Sequence, residues 1–167
     1  MENLTKYIIL FVSLMLLQML VLNNVSAVGL TAPYLYLAFI LMLPVNTSPT
    51  LVLFLSFITG LTIDLSLSSL GVHSFATVAM AAVRPYILKW MAPRIGYERN
   101  NAPLLKNFGI LWAIKYNASC VAIHHIVLYY CFTFSFEDAG FLFIRMVINI
   151  ILTVFLIILS QVFIFRK

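Results

Sequence analysis

From Thr50 to Ile63 the chain runs fourteen residues without a charge and then sets a carboxylate, Asp64, into the same apolar pattern. An ionised side chain inside a membrane-crossing helix costs roughly 2.5 to 3.5 kcal/mol on insertion scales, so neighbouring groups have to compensate it. That problem arises only in lipid, and composition places the chain there. Hydrophobic residues make up 63% and charged residues 9% of the 167, with a mean hydropathy of +1.08. A water-soluble domain with so few charges is excluded.

The apolar stretches are continuous and lack the two-residue alternation of a transmembrane barrel, which selects helices. A helix needs about 20 apolar residues to cross a bilayer, so this length holds five or six spans and no sizeable soluble domain. We read 1–167 as a single all-α transmembrane domain with spans at about 6–23, 28–45, 50–67, 72–91, 110–133 and 140–164. The second is the weakest. Its clean apolar part, Tyr34 to Leu43, lies between Pro33 and Pro44 and is short enough to be re-entrant instead. The first run, followed by Val25-Ser26-Ala27, superficially matches a secretory signal, but Tyr7 to Leu22 is long for such a core and is expected to be retained.

The net charge of +5 raises the question of nucleic acid, yet the basic residues sit at the ends of apolar runs, as membrane orientation requires. No nucleic-acid partner is expected; lipid is. Arg84, Lys89, Arg94, Arg99 and Lys106 face only Glu98 as counter-charge, and Pro85, Pro93, Gly96 and Pro103 are read as ending regular structure around them. The positive-inside rule puts this segment in the cytoplasm, with Lys6 and Arg166-Lys167 on the same side and the acidic Glu137-Asp138 turn opposite. Both termini are thus expected to be cytoplasmic.

Ser68-Ser69-Leu70-Gly71 breaks the third span from the fourth, and Asp64 lies three or four residues before this break. There it can cap the N-terminus of the next helix, whose free N–H groups favour an anion, or meet a partner or ligand. Arg84 falls about twelve residues below the turn, too far down a simple hairpin to be its ion partner; His73 is nearer in level. In the fifth span Asn117, Cys120, His124 and Cys131 share a face while Lys115 points nearly opposite, so Asn117 and His124 are candidates for polar residues of the bundle interior. Cys120 and His124 alone do not make a metal site, and no metal or other cofactor is expected. No nucleophile stands with a base and an orienting acid, so no catalytic residue is assigned. Cys120 and Cys131 are about 16 Å apart on one helix, beyond disulfide reach.

Gly60-Leu61-x-x-Asp64, then Leu70-Gly71, His73 and Arg84-Pro85 at the inner part of the following helix, resemble the rod shape-determining protein MreD family, in particular its short Bacteroidetes-type forms. The resemblance implies a non-catalytic inner-membrane scaffold of the bacterial cell-elongation, peptidoglycan-synthesising machinery. It implies an MreC-like bitopic partner and, through it, the MreB filament, RodA and a penicillin-binding protein. It also implies a six-helix bundle similar to the substrate-binding subunits of energy-coupling-factor transporters. A vitamin-type substrate-binding transport subunit is the alternative, although the first span lacks the small-xxx-small alanine pattern of such subunits. A small membrane enzyme is a weaker third reading.

Overall fold

The computed structural model describes residues 2–24, 33–94, 96–98, 101–132 and 139–164. Five long helices form the bundle: α1 (Glu2–Leu17, continued by a wider π turn over Gln18–Leu22), α3 (Pro49–Leu67), α4 (Val72–Trp90), α6 (Ile110–Phe132) and α7 (Ala139–Ile164). Two short helices, α2 (Leu37–Leu41) and α5 (Leu105–Phe108), lie between them. Among the described residues three stretches, Thr5–Leu22, Pro49–Leu67 and Gly140–Ile164, are long and apolar enough to cross a membrane. The Val25-Ser26-Ala27 stretch, Arg99, the Glu137-Asp138 turn and Arg166-Lys167 lie outside the described residues.

Local chemistry sets the helix ends. The Ser48 hydroxyl accepts from the Leu51 N–H at 3.3 Å and Pro49 occupies the first turn of α3, a good start for a helix. At the other end Ser68 takes a left-handed backbone conformation, φ 54°, as does Gly71 at φ 84° just before α4. The two reverse the chain within four residues, and α3 and α4 form an antiparallel hairpin. Pro85 does not end structure as its position in the basic stretch suggested. α4 continues through it to Trp90, because a missing N–H removes one intrahelical bond and the surrounding packing holds the rest.

The second apolar segment departs most from expectation. It is not a continuous span over 28–45: in its described part only Leu37–Leu41 are helical, about 7.5 Å of rise. Its described apolar residues nevertheless form the longest unbroken buried run among the described residues. Each residue from Tyr34 to Leu43 is at most 9% exposed. α4 packs against both α3 and α6, α6 packs against α7, and α1 closes over α2. The broken segment thus occupies the interior, running from the end of the bundle near the 68–71 turn, where Tyr34 meets the His73 ring at 5.2 Å, to the level of Arg84. Non-helical backbone survives at membrane depth only when protein groups satisfy it, and that requirement organises the polar residues.

Candidate functional site

At the turn end, the Asp64 carboxylate gathers four donors. One oxygen accepts from the Ser69 hydroxyl at 2.7 Å and the His73 N–H at 3.0 Å; the other accepts from the Ser74 N–H at 2.8 Å and the Ser74 hydroxyl at 2.6 Å. Two of the orphan N–H groups of α4 are satisfied by an anion at the positive end of the helix. Capping is therefore what Asp64 does in the fold, though it comes from α3 and reaches across the turn. Gly60, one turn earlier, is where the two backbones meet: a Cβ added there would stand 2.4 Å from Ser74 Cα and 2.8 Å from the His73 carbonyl oxygen. Leu61 is half-buried on the same turn and Leu70, at the tip, is 100% exposed.

One level deeper, the Tyr36 hydroxyl lies between His73 Nδ1 at 3.2 Å and His124 Nε2 at 2.8 Å. A hydroxyl has one proton, so one imidazole accepts from Tyr36 and the other donates to it, in complementary tautomers. Tyr34 packs on the rings of His73, His124 and His125 with centroids 5.2 to 5.7 Å apart. His125 Nδ1 donates to the Val121 carbonyl at 2.9 Å. His124 Nδ1, His125 Nε2 and, on α7, Arg145 Nε are buried without a hydrogen-bond partner. Among the described residues no three His, Cys, Asp or Glu side chains are placed to hold a metal ion.

Four further interior polar groups, Gln18, Thr153, Tyr116 and Arg84, serve the backbone of the broken segment. Gln18, at the start of the π turn, donates to the Pro33 carbonyl at 3.1 Å and accepts from the Tyr36 N–H at 3.3 Å. Thr153 on α7 accepts from the Tyr34 N–H at 3.0 Å. On the far side of α2, the Tyr116 hydroxyl donates to the Leu41 carbonyl at 3.2 Å and accepts from Arg84 Nε at 2.9 Å, while Arg84 Nη2 donates to the Leu43 carbonyl. Below it, the Val45 N–H reaches the Asn101 carbonyl at 3.0 Å. The bonds come from four helices, α1 with its π turn, α4, α6 and α7, and from the Asn101 connection. These are the partners that water would otherwise provide.

Sequence candidates are thus brought together in part. Gly60, Asp64, Gly71 and His73 form one junction; His73 and His124 meet through Tyr36; Arg84 belongs to a separate level and is not paired with Asp64. Pro85 is exposed beside Arg84, and Asn117 is buried with its amide donating to the Ala113 carbonyl of its own helix at 2.7 Å. Lys115 is exposed, away from the buried Asn117, Cys120 and His124. Tyr34, Tyr36, Tyr116 and Thr153 were absent from the candidates, as was Arg145. The available signal was tyrosine within apolar runs, where a hydroxyl needs a partner, rather than at their ends.

The basic connection between α4 and α6 is docked onto its end of the bundle. Trp112 donates to the Met91 carbonyl at 2.9 Å, Tyr97 to the Leu88 carbonyl at 2.7 Å, and Gln161 accepts from the Leu105 N–H at 2.8 Å. Partial burial raises the Tyr97 hydroxyl above its ordinary pKa. No family model, curated protein or solved structure matches the chain.

Proposed function

We propose that the protein is a non-catalytic scaffold of a bacterial inner membrane, both termini cytoplasmic, acting in cell elongation as MreD-type proteins do and contacting an MreC-like bitopic partner. One observation supports this most: Asp64, Arg84, Tyr116, Gln18 and Thr153, polar groups that could carry chemistry, are engaged in holding the chain's own backbone. Asp64 has four internal donors, and Arg84, Tyr116, Gln18 and Thr153 hold α2 and its flanks. What the turn end offers outward is apolar surface, with Leu70 fully exposed and Phe75 61% exposed. A six-span bundle resembling the transporter substrate-binding subunits stays part of this reading, with the broken segment as its second element.

The second reading, a substrate-binding transport subunit, has one observation in its favour. Broken helices with unpaired polar atoms nearby are where secondary transporters build their sites, and His124 Nδ1 and His125 Nε2 flank such a segment. Co-purification from native membranes separates the two. The scaffold reading expects a single-span partner to be retained and Leu70→Asp to reduce its recovery at least fivefold with the bundle intact. An ATPase module in its place, recovered equally with Leu70→Asp, contradicts it.

A further inference from the structure

Arg84 is a buried cation at 2% exposure. Both described acidic side chains are occupied elsewhere: Asp64 in its cap, Glu98 accepting from Asn101 at 3.1 Å. The neutral partners of Arg84, the Tyr116 hydroxyl and the Leu43 carbonyl, use two of its five N–H donors and offset none of its charge. An uncompensated buried charge is costly, so a counter-anion is called for. A cavity of about 250 Å³ adjoins it, with Arg84, Asn46, Thr47 and Ser48 on one side, apolar residues such as Val52 and Leu88 on the other, and Pro49 opening α3 at its wall. The positive end of the α3 dipole adds to the attraction for an anion.

Thr47 borders a second hollow of about 360 Å³, almost wholly apolar, that follows the flank of α3 past Leu51, Leu55 and Ile58 and is closed on the other side by Phe11 and Phe39. α3 is one of the described helices long and apolar enough to cross a membrane, which puts its first turn at a membrane surface, where lipid phosphates lie, with the apolar hollow extending towards the hydrocarbon. The polar side of the first cavity and the apolar groove meet at Thr47, in the order of a lipid headgroup and its chain.

We infer that this is a binding site for a phosphate-bearing lipid, the phosphate neutralising Arg84 beside Thr47 and Ser48 and an acyl chain lying along Leu51, Leu55 and Ile58. The site does not depend on the scaffold role. It is distinct from the Asp64 junction and from the Tyr36–histidine cluster, and Arg84 remains bonded to α2 while it binds.

The test is titration of the full chain in dodecyl maltoside with dioctanoyl phosphatidic acid, dioctanoylglycerol and inorganic phosphate. The expected result is saturable binding of the phosphatidic acid, with dioctanoylglycerol and inorganic phosphate each at least tenfold weaker. Thr47→Asp, which places a competing carboxylate beside Arg84, should weaken the phosphatidic acid at least tenfold without altering helix content. Leu51→Trp, which fills the groove, should weaken the lipid but not inorganic phosphate. Equal affinity for dioctanoylglycerol, equal affinity for inorganic phosphate, or wild-type lipid binding in both variants would overturn the assignment.

Discussion

Replacing Gly60 with alanine is expected to force α3 and α4 apart and to lower the stability of the folded chain in detergent by about 3 kcal/mol, at the upper end of overpacking costs. The added methyl has no rotamer by which to escape. Its nearest neighbours are the Ser74 Cα at 2.4 Å, the Ser74 nitrogen at 2.7 Å and the His73 carbonyl oxygen at 2.8 Å, all backbone. Relief therefore requires a rigid shift of one helix, and that shift lengthens the bonds from Asp64 to the His73 and Ser74 N–H groups. Denaturation in sodium dodecyl sulfate, followed by circular dichroism, measures the loss. A stability equal to wild type would mean that the two helices do not approach this closely.

Asp64→Ala removes an acceptor shared by four donors and leaves two N–H groups of α4 without a partner at a site only 3% exposed. A lost helix cap accounts for about 1 kcal/mol and unsatisfied buried donors for about 1 to 3 kcal/mol more, so an overall loss on the order of 2 to 4 kcal/mol is expected. Asp64→Asn keeps the shape and one accepting oxygen, and should lose roughly half as much. The same unfolding titration checks both. If alanine and asparagine were equally harmless, the carboxylate would have no structural role and a direct partner contact would be the better account of it. Under the proposed scaffold role, any cell-shape effect of Asp64→Ala is expected to follow reduced protein level, whereas one of Leu70→Asp should appear at normal level.

The residues that made helices and turns legible are those whose signals are local. Ser48-Pro49 starts α3, Ser68 to Gly71 reverses the chain, and the apolar runs on either side have helix length. Asp64 was legible as a cap because an anion at the end of one helix meets the beginning of the next across a short turn. The fate of residues 33–45 was legible only as an open alternative, a full span or a re-entrant segment. A run of ten apolar residues reads alike as a short span, a buried helix or a broken segment, since periodicity does not separate them. What decides is whether distant residues can satisfy its backbone, and those residues, Gln18, Arg84, Tyr116 and Thr153, lie on four different helices. Arg84 illustrates the limit. Its spacing excluded Asp64, but only packing reveals that its acceptor is the Leu43 carbonyl, forty-one residues away in the chain.

The central claim is that interior polar side chains hold the broken 33–45 segment in the bundle, and Gln18→Leu tests its sign. In a helix that merely crosses lipid, exchanging glutamine for leucine favours the membrane-embedded state. Here the exchange removes the bonds to the half-buried Pro33 carbonyl and the buried Tyr36 N–H, along with the one to the Asn23 side chain at 2.9 Å. The unfolding free energy of Gln18→Leu in detergent is expected to fall by about 2 kcal/mol. A value at or above that of the unsubstituted chain would contradict the account.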